Sequence, residues 1–279
     1  LFQTKGIYFS QQGKWTEAES SLRIALPLIE KWLKYVENLP INKLGVDPSI
    51  DDNAGSNLLR TVLPRRLDTQ RLLAHVLAMQ GKLIEAEIQI RDVIDLTLSY
   101  YGTNSIPSGA ALLEFSSILS EQSRFAEARI LAQEALSIYK NTGASDGSLA
   151  VLKTQKAIAH YLVAEKKYDE ADKVFTDVSA QIEANKTLGQ QIPSADLDWA
   201  IVKVKLNQSE AALRMTQELI STLKKQSNPS ERQLAQFEII EAFALHGMGR
   251  NEEAQAIYQK YIPILLSISE GDGDGRGAR

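Results

Sequence analysis

The chain has 279 residues, 44% apolar and 24% charged, a balance that excludes wholesale disorder; no run of ~18 apolar residues marks a membrane span. A net charge of −4 gives no global argument for nucleic acid or anionic lipid. The absence of cysteine removes disulfides, thiolate zinc sites and a cysteine nucleophile together.

Taken along the chain, one short pattern recurs. It consists of a turn residue, a polar residue, often an aromatic or Leu, any residue, Glu and then Ala. It first appears as Gly13-Lys14-Trp15-Thr16-Glu17-Ala18, inside a helical hairpin expected over 1–38. Residues 39–65 interrupt the period with Pro40, Pro48 and Pro64 around a run of turn formers, and read as an inserted loop with a short helix near Asn57–Leu63. That loop is either a plain insertion or a partner contact. Arg60, Arg65, Arg66 and Arg71 follow it and read as a solvated surface, because a nucleic-acid patch needs a wider basic face with stacking aromatics.

The second hairpin, 66–102, carries Gly81-Lys82-Leu83-Ile84-Glu85-Ala86, and the third, 108–142, carries Ser123-Arg124-Phe125-Ala126-Glu127-Ala128. The fourth, 148–186, has Lys166-Lys167-Tyr168-Asp169-Glu170-Ala171; the fifth, 193–226, has the degraded Leu206-Asn207-Gln208-Ser209-Glu210-Ala211. The sixth, 231–268, has Gly249-Arg250-Asn251-Glu252-Glu253-Ala254, and 269–279 forms a polar tail. From Ala86 onward the anchoring alanines are 42, 43, 40 and 43 residues apart. Physically the pattern is the turn of a helical hairpin. Gly accepts the positive φ that ends the first helix, Glu sits at the positive end of the second, and Ala lets the two approach closely.

The flanks keep the phase. Nine residues before each Ala stands Phe9, Leu77, Leu119, Leu162, Val202 or Leu245. Four and seven residues after it stand Leu22 and Ala25, Ile90 and Val93, Ala132 and Ala135, Phe175 and Val178, one apolar stripe per second helix. In the fifth copy Met215 keeps the stripe and Glu218 breaks it. Pro27 and Pro263 both lie nine residues after their Ala and predict a bend in those helices.

With Gly6, Phe9, Gly13, Trp15, Ala18, Leu22 and Ala25 in this order, the sequence resembles the tetratricopeptide-repeat (TPR) family, in the longer ~42-residue form of kinesin light chains. The resemblance implies an all-α right-handed solenoid of about six repeats that binds protein rather than catalysing a reaction, with no cofactor. The junction Tyr261-Ile262-Pro263-Ile264-Leu265-Leu266, leading into the polar tail, resembles the boundary in bacterial proteins that join TPRs to a CHAT domain, a caspase-like peptidase. The chain starts at Leu1 without Met and reads as a segment of a longer, cytoplasmic protein, an extracytoplasmic one staying open.

Chemistry in the sequence is sparse. Gly143-Ala144-Ser145-Asp146-Gly147 matches G-x-S-x-G but lies in an inter-repeat loop, where a nucleophile elbow needs a strand-to-helix turn. His75 and His160 both stand eleven residues before their Ala, and His246 three residues later in phase. Their separation in the repeat excludes a shared metal ion. With Arg71, Lys153, Lys156 and Lys203 they fall on first helices, which the TPR resemblance places on the concave face; Glu114 and Asp196 interrupt the positive charge. That face reads either as a groove for an acidic peptide or as a solvated surface of internal ion pairs. The apolar residues of the last helix offer a route to self-association.

Overall fold

A computed structural model describes residues 1–38, 54–185, 187, 191–226 and 229–271. Among them are twelve helices and no strand: α1 Phe2–Gln11, α2 Trp15–Glu37, α3 Ala54–Met79, α4 Leu83–Tyr101, α5 Ile106–Glu121 and α6 Phe125–Asn141. There follow α7 Leu149–Ala164, α8 Tyr168–Glu183, α9 Leu197–Lys205, α10 Ser209–Lys224, α11 Glu231–Gly247 and α12 Asn251–Gly271. Two compact units result, Leu1–Gly143 and Ala144–Arg279. In each, consecutive helices pack as hairpins and each hairpin packs on the next.

The hairpin turn is built identically wherever its position allows. Five residues before the anchor, the backbone takes a positive φ at Gly13, Gly81, Ser123, Lys166, Asn207 and Gly249. The next amide closes the turn on the carbonyl nine residues before the anchor, as in Lys82 to Leu77 at 2.9 Å and Arg124 to Leu119 at 2.9 Å. Second helices therefore start from Lys14, Lys82, Arg124, Lys167 or Gln208 with no side-chain cap. First helices begin differently: Ser105, Ser148, Asp196 and Ser230 accept the capping amide of α5, α7, α9 and α11.

The same register corrects the fifth repeat. Asn207 carries the positive φ and Gln208 closes the turn on Lys203, so the anchor is Ala212, not Ala211. Ala212 is fully buried, as are Ala18, Ala86, Ala128 and Ala171. Counted from it, Thr216 takes the buried place four residues on, and the exposed Glu218 breaks nothing. Lys203 then stands where the other repeats have Leu77, Leu119, Leu162 or Leu245.

The predicted stripes are the core: Leu22, Ile90, Ala132 and Phe175, with Ala25, Val93, Ala135 and Val178, are all buried. Burying a side chain the size of Leu22 or Ile90 contributes about 1.5–3 kcal/mol each. At Gly6 an added Cβ would lie 2.5 Å from Leu22 Cδ2, so only glycine lets α1 lie this close to α2.

The short helix expected near Asn57–Leu63 is present, as part of a longer helix that takes the place of the end of the expected loop. α3 already runs from Ala54, with Pro64 inside it, and Val62 and Leu63 are buried. Burial of that apolar pair outweighs the turn-forming composition that pointed to a loop. Residues 39–53, and most of the polar tail, lie outside the described residues. α2 and α12 continue without interruption through Pro27 and Pro263. No described helix is long and apolar enough to cross a membrane.

Candidate interaction face

In the first unit, Arg71 and His75 project from α3. Arg71 lines a cavity of about 240 Å³ whose walls include Leu67, Val93, Tyr101, Ile106 and Pro107. Its Nη1 lies 3.6 Å from Asp68 Oδ1, beyond hydrogen-bond length, and its Nε is buried with no hydrogen-bond partner. His75 Nδ1 stands 3.5 Å from Glu114 Oε1 on α5, and its ring meets the edge of Trp15. Glu114 holds the imidazole above its usual range, against the opposing effect of burial.

In the second unit, α7 carries Lys153, Lys156 and His160. Lys153 is exposed and makes no ion pair among the described residues. Lys156 Nζ is 2.9 Å from Asp196 Oδ2 and 3.1 Å from the Pro193 carbonyl. His160 is gripped at both nitrogens: Nδ1 is 2.6 Å from Asp198 Oδ2 and Nε2 is 3.4 Å from Asp196 Oδ2. Burial disfavours the charged ring, but Asp198 and Asp196 outweigh it and raise its pKa.

One layer deeper, Phe175 stacks on Trp199 with centroids 5.8 Å apart, and His160 meets Phe175 edge-on. Asp172 on α8 takes the Trp199 indole N–H at 2.6 Å and Lys203 Nζ at 2.7 Å. Lys203 also bonds Gln208 and lies over the Trp199 ring. His246 stands apart, with Nδ1 2.7 Å from the Asn251 amide oxygen.

Five of the seven predicted groups, Arg71, His75, Lys156, His160 and Lys203, thus face carboxylates, and for three of them these come from the repeat that follows. Lys203 reaches back to the repeat before it. Lys156 and His160 share one cluster; Arg71 keeps an unpaired Nε, and Lys153 makes no ion pair among the described residues. Asp172, Asp198 and Trp199 were not legible as site residues: the register of the fifth repeat, which holds Asp198 and Trp199, is shifted by one, and Asp172 meets its partners only where that repeat packs on the fourth.

A family model described as tetratricopeptide repeat matches residues 65–141. This is a tetratricopeptide-repeat fold. Solved structures resemble it over most of its length. Kinesin-light-chain TPR-like repeats from Podosopora anserina are 20% identical, with a TM-score of 0.56 over 75% of this chain and 97% of that one. BtubC (BKLC) from P. vanneervenii is 13% identical, with a TM-score of 0.59 over 89% and 92%. Aspartyl phosphate phosphatase F from Bacillus subtilis is 16% identical, with a TM-score of 0.52 over 98% and 75%. At such identities the likeness concerns the fold alone. No curated protein sequence matches the chain.

Proposed function

We propose that the chain is a non-catalytic protein-interaction scaffold whose first-helix faces receive a segment of a partner protein. The observation that carries this reading is Arg71. A guanidinium with an unpaired Nε lines an apolar cavity, a combination suited to a partner residue that pairs an acceptor with an apolar side chain. Lys153 offers a second open cation in the other unit. Packed hairpins hold these groups in place beforehand, so binding loses little side-chain entropy. Lys156, His160 and Lys203 act within this reading as supports of the face, since their charge is already compensated.

A peptide library screened against the full chain tests it. Selected peptides should place a carboxylate beside an apolar residue, and Arg71→Gln should weaken them roughly tenfold or more, the loss of about 1.4 kcal/mol. Peptides bound equally by the variant would overturn the assignment of Arg71.

Self-association through α12 is the second reading. It rests on Ile262 and Leu266, which are exposed one turn apart on that helix. Sedimentation of the chain and of Leu266→Glu decides it, because a concentration-independent monomer in both removes it. The likeness of the 261–266 junction to TPR–CHAT boundaries extends the scaffold reading to a recognition segment of a larger peptidase. The coding sequence beyond Arg279 tests that extension.

A further inference from the structure

With the fifth repeat anchored at Ala212, the two clasped histidines obey one rule. His75 and His160 each stand eleven residues before their own anchor, and Glu114 and Asp198 each stand fourteen before the next. In both pairs the imidazole meets the carboxylate through Nδ1. Both pairs therefore join a first helix to the first helix of the following repeat, once in each unit. At the junctions after the first and fifth repeats the same two positions hold Ile7 and Leu72, and Ile201 and Ile240, which cannot titrate.

We propose that these pairs are proton-operated clasps between adjacent first helices, closed when the imidazole is charged and loosened when it is neutral. A charged ring adds ion-pair attraction to the hydrogen bond that a neutral ring can still donate to the carboxylate. A neutral His160 can still donate from Nδ1, but its Nε2 lone pair would then face the Asp196 carboxylate. That side of the clasp would open, leaving Asp196 to Lys156 and to the amide of Asp198 that it caps.

The surroundings favour the charged ring at both places. Around His160 stand Asp196, Asp198 and Lys156, with the uncharged Phe175 contributed by α8. Asp172 and Lys203 neutralise each other on the far side of Trp199. Around His75 stand Glu114 and, further off, Glu121 on α5, with the uncharged Trp15 from α2; Arg71 is turned to Asp68. Both rings gain proton affinity on folding. A raised folded pKa gives stability that is full below the unfolded value and is lost as pH rises through the folded one.

His160, Asp196 and Asp198 also bring three potential ligand atoms within 4.8 Å of one another. A divalent ion there would have to displace the Lys156 ammonium from Asp196. The matching place in the first unit supplies only His75 and Glu114. The recurrence therefore points to a proton.

With three histidines in the chain, each imidazole can be followed separately by NMR. In the full chain, His75 and His160 should titrate above the ordinary value of about 6.5. Asp198→Asn should move His160 alone, and Glu114→Gln should move His75 alone. His160→Gln should lower the thermal midpoint by roughly 2–4 °C near pH 5.5 and by much less near pH 9. A His160 midpoint at or below about 6.5, or one unmoved by Asp198→Asn, overturns the proposal. So does a stability loss in His160→Gln that is the same at both pH values. Zinc that stabilises the wild type but not His160→Gln, while abolishing titration of His160, would assign the place to a metal instead.

Discussion

The position one residue after the anchoring alanine is used in both units, and the two uses differ. In the first unit Glu19 binds Gln80 at 2.9 Å and Lys82 at 2.7 Å across the next hairpin turn, and Arg23 one turn along its own helix. Glu87 repeats the arrangement with Gln122 at 2.8 Å, Arg124 at 3.3 Å and Arg91. In the second unit Asp172 occupies the same position but reaches the Trp199 indole and Lys203. The lesson is that in these three repeats a carboxylate ties one hairpin to the next with donors that differ, while Arg129 and Leu213 stand at that position in two others. Where the partner positions of the turn are Leu206 and Gln208, the donor comes from inside the next helix instead. That places a lysine in a site that Phe9, Leu77, Leu119, Leu162 and Leu245 fill with an apolar side chain in the other repeats.

Removing the carboxylate probes this contrast most severely in the second unit. Asp172→Ala should cost about 3 kcal/mol, because it leaves the largely buried Lys203 ammonium and the Trp199 N–H without their acceptor. Urea unfolding followed by Trp199 fluorescence, with Trp15 and Trp32 replaced by Phe, reads that unit alone. A cost below about 1 kcal/mol would mean that Gln208 suffices for Lys203.

Glu19→Gln should cost about 2 kcal/mol at neutral pH. Burial alone would raise the Glu19 pKa, but hydrogen bonds from Lys82, Arg23 and Gln80 prevail and bring it to about 2 from 4.5. A depressed carboxylate contributes stability above its unfolded value and loses it as pH falls through the folded one. The difference between wild type and Glu19→Gln should accordingly shrink between 4.5 and about 2, in an acid series of urea midpoints. Glu87→Gln, with a more exposed side chain, should cost about 1 kcal/mol in the same assay.

The smallest effect sharpens the comparison furthest. Asp172→Ala combined with Lys203→Leu restores the residue type of the other repeats and removes both charges. It should lie within about 1 kcal/mol of the wild type, since replacing both members of a buried pair costs far less than removing one. A double variant as unstable as Asp172→Ala alone would show that the Trp199 indole, not Lys203, is what Asp172 serves.

Most of the fold was legible because its signals are local. The turn residue, the anchoring alanine and the apolar offsets are fixed by the geometry of one hairpin, and they mark five of the six anchors correctly. The fifth slipped because Ala211 and Ala212 are neighbours and Lys203 hides the leucine that would have set the phase. The helix expected near Asn57–Leu63 is the start of α3, but its unbroken run past Pro64 accompanies burial of Val62 and Leu63, a tertiary effect that turn composition cannot report. For the face, Glu114 and Asp196 were visible as acidic interruptions among basic residues. Which cation each one meets depends on the register between hairpins, and a one-residue slip concealed Asp198 altogether.

Asp172 and Lys203 stand 31 residues apart yet share one fate. Either can change alone only by leaving a poorly hydrated ion without its counter-charge, whereas exchanging both removes the two charges together. Descent should therefore preserve or discard them as a couple. In any set of homologous chains these two columns should vary together, and a lysine should occupy the leucine position only where an acid follows the preceding anchor.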